Sequence, residues 1–336
     1  MSSTKTKETV GTCSSTATNT LMDRFMAGDS SVCSTYNEAK REDRTSSLNS
    51  AYVTLRSGIK MPLFGLGTWL SGATYDRTKG SVDIKAGREA EDACACALKL
   101  GYRLLDTAQM YKNEDQIGNA IRASDVARNQ VFVVTKLASG HTKEKSIDAL
   151  KDSLKAMKLD YVDLFLIHSP RGGNIIDTWR GMLECKKLGL AKSVGVSNFG
   201  VAQLKGISDA GLEMPEVNQI ELHVWLQQKA CRAFMDSNGI ATMGYCPLAR
   251  CKRLEDLEDI AKEKEKSPAQ IAIRWSIQSG AITIPKSSKA SRIAENADVF
   301  SWSLTDEEMK TLGALDVGFK ASGSVNAMDL SWSDVK

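Results

Sequence analysis

Two rhythms of apolar residues alternate along most of this chain. Short runs rich in Val, Leu, Ile and Phe are separated by longer stretches in which apolar positions return on a helical period. The short runs predict strands at 62–67, 103–106, 131–136, 163–168, 192–197, 216–219, 240–245 and 281–285. Ala90, Ala93, Cys94, Ala97 and Leu98 fall at i, i+3, i+4, i+7 and i+8, and Gly101 ends that predicted helix. Ile147, Leu150, Leu154 and Met157 make a second stripe. Ser267 before Pro268 predicts an N-cap with proline in the first turn, ahead of Ile271, Trp275 and Gln278. Thr305-Asp306-Glu307-Glu308 predicts a capping box that opens a last helix with Met309 and Leu312. Ahead of all these, Tyr52-Val53-Thr54-Leu55, a Ser57-Gly58 turn and Ile59 read as a small hairpin.

Strands that each precede a helix, eight times over, predict an α/β fold: a closed (β/α)8 TIM barrel, not an open doubly wound sheet. The strand runs are apolar on both faces, as strands covered on both sides should be. The hairpin is expected to plug the barrel floor. Residues 1–50 differ: they are rich in Ser and Thr and carry no sustained period, which predicts a disordered extension ahead of a single barrel domain over 51–336. Glu8, Asp23, Asp29, Glu38, Glu42 and Asp43 argue against an acid-poor transit peptide. Tyr36 and Lys40 match the Tyr-x-x-x-Lys spacing of short-chain dehydrogenases, but no strand flanks them, and the match reads as chance.

The chain has 336 residues, of which 42% are hydrophobic, enough for one barrel-sized domain or two smaller ones. A net charge of +3 with interspersed signs gives no reason to expect a nucleic-acid or membrane partner. No apolar run reaches the roughly 18 residues that a membrane span needs. The 8 cysteines lack metal-ligand spacing, and Cys94 and Cys96, two apart in a helical stretch, diverge. Scattered thiols predict a reducing, cytoplasmic setting and no metal.

The chemistry gathers at strand ends. The strand before Thr107 ends on Asp106, and Tyr111 follows five residues later, just ahead of a helix opening at Asn113-Glu114. The next two strands end on Lys136 and His168. Three parallel strands that each deliver an ionisable group at the C-terminal end describe an active site at one barrel mouth. A phenol is a weak acid and a weak base near neutrality. A nearby ammonium is expected to lower its pKa, with Asp106 orienting Lys136 and His168 donating to a substrate oxygen. Such a set moves a proton on a carbonyl or alcohol oxygen. Gly65-Leu66-Gly67 invites a dinucleotide-loop reading that fails, because position 70 is Leu and the third glycine is absent. These glycines are expected to let the backbone turn at the mouth.

From about 52 to 315 the chain resembles the aldo-keto reductases, NADPH-dependent (β/α)8 barrels. The resemblance rests on Met61-Pro62, Gly65-Leu66-Gly67-Thr68-Trp69, Asp106-Thr107-Ala108, Tyr111-Lys112-Asn113-Glu114, Thr135-Lys136-Leu137 and Leu166-Ile167-His168-Ser169-Pro170. It continues with Gly195-Val196-Ser197-Asn198-Phe199, Asn218-Gln219-Ile220-Glu221-Leu222-His223, Tyr245-Cys246-Pro247-Leu248 and Ile284-Pro285-Lys286-Ser287. It implies Tyr111 as general acid, tuned by Lys136 and Asp106, with His168 orienting the carbonyl. It further implies that Ser197, Asn198 and Gln219 bind the nicotinamide carboxamide and that Tyr245 stacks on the ring, with Leu248 beside the cofactor. Lys286, Ser287, Ser288 and Arg292 follow the eighth strand, a common phosphate-binding place in barrels, and suit the 2′-phosphate of NADPH. Glu295 and Asn296 are implied at the adenine.

Departures from the family concern the substrate. Ser169 stands where animal members often have Trp, which widens the pocket. Val224 follows His223 where Pro is usual. Trp69 and Trp225 are candidate pocket walls beside His168 and Ser169, and 316–336 is the implied last substrate loop. The expected activity is NADPH-dependent reduction of aldehydes or ketones to alcohols by a monomer. The alternatives are an NADPH-binding regulatory subunit with little turnover and a Schiff-base aldolase acting through Lys136.

Overall fold

Two short antiparallel strands come first: Tyr52–Thr54 (β1) pairs with Lys60–Pro62 (β2), Val53 opposite Met61. Gly58 turns between them at φ +86°, a conformation that costs glycine little. The computed structural model describes residues 48, 50–71, 73–76, 81–84, 87–138 and 140–336. The expected disordered extension over 1–50 lies outside the described residues, except for Leu48 and Ser50.

Eight parallel strands follow the apolar runs. They are Leu66–Gly67 (β3), Leu104–Asp106 (β6), Phe132–Leu137 (β7), Val162–Ile167 (β8), Ala191–Ser197 (β9), Val217–Glu221 (β10), Ala241–Tyr245 (β11) and Ile282–Thr283 (β12). Each lies beside its chain neighbours in the order β3, β6, β7, β8, β9, β10, β11, β12. The ends of this sheet meet. Phe64 bridges Thr283 and Gly67 bridges Lys286, both parallel. The Gly65 N–H donates to Thr283 O (3.0 Å) and the Gly67 N–H to Pro285 O (3.1 Å). The sheet is thus a closed (β/α)8 barrel.

Gly67 makes that closure fit. A Cβ there would stand 2.9 Å from Ile284 O, inside contact distance. Its backbone does not adopt positive φ, so the expected role in turning the chain gives way to one in close strand approach.

Leu66, Leu104, Leu105, Phe165 and Leu166 belong to the buried core, and all six residues of β7 and of β8 are buried. Helices cover the outside. Glu89–Lys99 ends before Gly101 at φ +98°. In Lys143–Met157 the predicted Leu150, Leu154 and Met157 are buried. The N-cap at Ser267 and the capping box at Thr305 form as the sequence predicts, each side chain accepting the backbone N–H three residues on, and Gln270 completes a box at Ser267 as well. Two expectations change. An antiparallel pair, Ala73–Asp76 (β4) with Ser81–Ile84 (β5), stands between β3 and the helix Glu89–Lys99. The helix Asp306–Gly313 is not the last, because Trp332–Val335 follows it.

The hairpin lies across the N-terminal end of the strands. The Arg56 guanidinium donates to Asn238 O (3.2 Å) and to Met214 O, and the Ser57 N–H donates to Glu216 Oε2 (3.2 Å). These acceptors precede β10 and β11, on the side away from Asp106, Lys136 and His168. Among the described residues, no helix is long and apolar enough to cross a membrane.

Candidate active site

Asp106 closes β6, Lys136 is the penultimate residue of β7, and His168 follows β8 directly. Parallel register brings them to one mouth, since Asp106 pairs with Val134 and Lys136 with Leu166. Tyr111 ends a single 3-10 turn, Gln109–Tyr111, and Lys112 at φ +56° turns the chain into the helix Glu114–Ala123.

Lys136 organises the cluster. Its Nζ donates to Asp106 Oδ1 (2.6 Å), Thr107 O (2.8 Å) and Tyr111 OH (3.4 Å). Three acceptors match the three protons of an ammonium. Gln219 Nε2 donates to the other carboxylate oxygen, Asp106 Oδ2, at 2.7 Å. Lys136 is fully buried and Asp106 nearly so. Burial, the leading cause, pushes the ammonium down and the carboxyl up, and their mutual attraction opposes both shifts.

Tyr111 is 8% exposed. Burial first, and the Asp106 charge second, hold its hydroxyl well above the ordinary phenol range. This corrects the expected lowering by Lys136. The ammonium sits closer to Asp106 than to the phenol, so the carboxylate largely cancels its field. The phenol therefore stands protonated, as a proton donor requires. Its ring lies 5.6 Å from that of His168 and 4.8 Å from that of Trp69, centroid to centroid.

Burial, and then the Lys136 charge, push the His168 imidazole down to about 3, so it is neutral near pH 7. Its Nδ1 is buried without a hydrogen-bond partner. A proton there would be an orphaned buried donor, which is rarer and costlier than a bare acceptor. The proton therefore belongs on Nε2, the nitrogen left to donate to a ligand.

Beside this cluster, Ser197 ends β9 and its Oγ donates to Gln219 O (2.8 Å). Asn198 adopts φ +60°, which asparagine tolerates. Its Nδ2 donates to His168 O (2.9 Å), and its Oδ1 accepts from Tyr245 OH (2.7 Å). One polar chain thus runs from the end of β11 to the backbone of His168.

The Aldo/keto reductase family model matches residues 64–317. An aldo-keto reductase from Mycobacterium sp. is 41% identical over 79% of this chain and 91% of that protein. A methylglyoxal reductase from Escherichia coli is 39% identical over 80% of this chain and 95% of its own length. The crystal structure of a Bombyx mori aldo-keto reductase in complex with NADP has a TM-score of 0.76 and 31% identity, covering 85% of this chain and 98% of that one.

The chain belongs to the aldo/keto reductase family.

In this aldo/keto reductase the other predicted residues divide. Lys286, Ser287, Ser288 and Arg292 gather after β12. Lys286 Nζ donates to Ser288 Oγ (2.8 Å) and stands 3.7 Å from Glu89, while Ser287 is buried and its Oγ accepts from the Lys289 N–H (3.2 Å). Arg292 is exposed. Asn296 is buried. Glu295 Oε1 accepts from Ser267 Oγ (2.5 Å), so it is partly committed to the start of the helix Pro268–Gln278. Leu248 is half-buried in the turn after β11. Ser169 caps the turn Pro170–Gly172, accepting from the Arg171 N–H (3.3 Å). Trp225 does not line the mouth as expected. It is fully buried, and its indole N–H donates to Asp256 Oδ2 (2.8 Å).

Sequence reasoning gave no role to Thr68, Thr107 and Asn113, which brace the reductase site. Thr68 Oγ1 donates to Asp106 O (2.8 Å). Asn113 accepts from Thr107 Oγ1 (2.8 Å) and donates to Thr68 O (3.0 Å). Asn113 stands at the N-cap position yet makes no side-chain cap bond, and that position signals a cap, not a tie to two other loops.

Proposed function

We propose that this protein is an NADPH-dependent carbonyl reductase that converts aldehydes or ketones to alcohols, with Tyr111 as general acid. The observation that carries this reading is the buried Lys136 ammonium, held by Asp106 at 2.6 Å and directed at the Tyr111 hydroxyl at 3.4 Å. NADPH, when bound, supplies the hydride. Tyr111 gives its proton to the carbonyl oxygen as negative charge builds there. Lys136 stabilises the phenolate left behind, and His168 Nε2–H donates to the same oxygen and orients it. The Asp106–Gln219–Lys136 network is fixed before substrate arrives, which supplies proton transfer and charge stabilisation without reorganisation.

The residues present fit the cofactor. After the Gln219 side chain commits its N–H to Asp106, its side-chain oxygen Oε1 makes no hydrogen bond among the described residues and is available to a carboxamide N–H. The side chain of buried Asn296 likewise has no hydrogen-bond partner among the described residues, which suits the edge of an adenine. Lys286 and Arg292 are exposed cations, with Ser287 and Ser288 beside them, a donor set matched to a phosphate monoester. Tyr245, half-buried at the end of β11, offers a ring face. Ser197 and Asn198 hold Gln219 and His168 in register, and Leu248 would lie beside the cofactor. Trp69 and Ser169 would shape the carbonyl pocket with His168.

The methylglyoxal reductase of Escherichia coli among its relatives favours small reactive aldehydes as substrates. The enzyme is proposed to act as a monomer, and the free thiols of Cys94, Cys96, Cys185, Cys231, Cys246 and Cys251 suit a reducing cytoplasm. The test is a screen of nicotinamide absorbance with NADPH and NADH against aldehydes, quinones, ketosteroids and sugars. Carbonyl-dependent oxidation of NADPH is expected. Tight NADPH binding without oxidation by any of them would favour a regulatory subunit instead.

A further inference from the structure

Glu221 closes β10, on the same mouth as Lys136 and His168, yet it takes no part in the proton-donating cluster. Its side chain is fully buried. Oε1 accepts from the Ala321 N–H (2.5 Å) and Oε2 from the Ser322 N–H (2.9 Å). His223 Nε2 lies 3.1 Å from Oε1. An ionised carboxylate only accepts, so the imidazole donates. Three donors therefore converge on one buried carboxylate, two of them successive backbone N–H groups of the C-terminal segment. Such paired amides form an anion-binding concavity, and here the anion comes from the barrel.

The contacts on either side show what this arrangement holds. Upstream, the Val317 and Phe319 N–H groups donate to Trp225 O (3.3 and 3.0 Å), and the Phe319 ring lies 6.3 Å from that of His223. Downstream, Gly323 O accepts from Arg171 (3.1 Å), which follows Ser169 by two residues. Ser322 itself is buried. The segment thus passes from Trp225 to the turn beside Ser169, and its midpoint is fixed by Glu221.

We propose that Glu221 is a positioning residue that fastens the segment 316–323 across the mouth and thereby sets the wall against which the carbonyl compound binds. This rests on the carbonyl-reductase reading. Glu221 touches neither Tyr111 nor the reacting oxygen, and its effect on turnover runs through Ala321 and Ser322. Loss of the carboxylate frees the segment, which weakens binding of bulky carbonyl compounds more than it slows the reaction of bound ones.

The test uses the full chain. In the unaltered protein, hydrogen exchange at the Ala321 and Ser322 amides is expected to be slowed at least about tenfold relative to an unstructured peptide. Exchange at the free-peptide rate would overturn the proposal whatever any variant does. Trypsin cleavage after the exposed Lys320 should accelerate about tenfold or more in Glu221→Ala, because cleavage follows the population of the released segment. Glu221→Gln, which keeps one acceptor, should lie between the two. With NADPH, Glu221→Ala should raise KM for benzaldehyde about tenfold and change kcat less than about threefold, with a smaller KM change for methylglyoxal. An equal fall in kcat for both aldehydes at unchanged KM would overturn it. If the unaltered protein turns over no aldehyde, the carbonyl-reductase reading fails, and exchange and trypsin cleavage still decide whether Glu221 holds the segment.

Discussion

Lys136 lies 3.4 Å from the Tyr111 hydroxyl while it is anchored 2.6 Å from Asp106. The two distances assign different duties. In the proposed reaction the close carboxylate keeps the ammonium charged inside the barrel, and the longer contact leaves the phenol protonated until a substrate oxygen draws the proton away. The charge of Lys136 then becomes most valuable, because the phenolate formed is itself buried.

Tyr111→Phe should therefore keep the fold and NADPH binding and lose about 10²–10⁴-fold in kcat, the contribution of positioned acid catalysis. Cofactor titration and steady-state NADPH oxidation check both halves. Unchanged turnover would remove Tyr111 from the proposed role.

The Asp106–Lys136 pair should behave as a unit. Asp106→Asn leaves a buried ammonium without its counter-charge and is expected to cost about 3–5 kcal/mol of stability. Adding Lys136→Met removes that charge and should recover most of the loss while activity stays abolished. Urea unfolding of the single and double variants measures the coupling.

His168 predicts a pH dependence of stability. Its pKa lies near 3 in the folded protein against an ordinary 6.5, so between these values the unfolded chain binds the extra proton. The stabilisation is complete above 6.5 and is lost as pH falls toward 3. The slope from this group is at most about 1.4 kcal/mol per pH unit, and less where the half-buried ring meets water. The difference in unfolding free energy between the parent and His168→Gln, followed through this window, should show it. Equal slopes for the two proteins would contradict it.

Asn113→Ala should loosen the site without touching a reacting group. It strands the Thr107 hydroxyl and leaves the Thr68 carbonyl with the Ser71 N–H alone, which costs about 1–3 kcal/mol in thermal unfolding. Tyr111 sits two residues upstream, and its misplacement should lower kcat by up to about 10²-fold.

The strand ends were readable because an apolar run that stops on Asp106, Lys136 or His168 is a local pattern. The N-cap at Ser267 and the capping box at Thr305 were readable for the same reason. Other features depended on distant partners. The direction of the Tyr111 shift follows from how deeply the ring is buried and from Asp106 capturing the ammonium, neither of which appears in spacing. Trp225 looked like a pocket wall until Asp256 supplied a partner for its indole and the segment at Val317 covered its backbone. The β4–β5 pair was missed although Thr74, Tyr75, Val82 and Ile84 favour strands and Gly80 favours a turn, because the alternation of the eight barrel strands with helices suggested a helix there. Gly67 was noticed for its freedom, but its value lies in the room that it leaves for Ile284 O.

The joining of Phe64 and Gly67 to Thr283 and Lys286 also bears on how the protein is made. The earliest parallel strand waits for the latest, so a nascent chain carries β3 with one bare, adhesive flank until synthesis is nearly finished. Premature termination before Ile282 would leave that flank open for good, and such fragments should clump or be cleared by quality control, not survive as smaller enzymes.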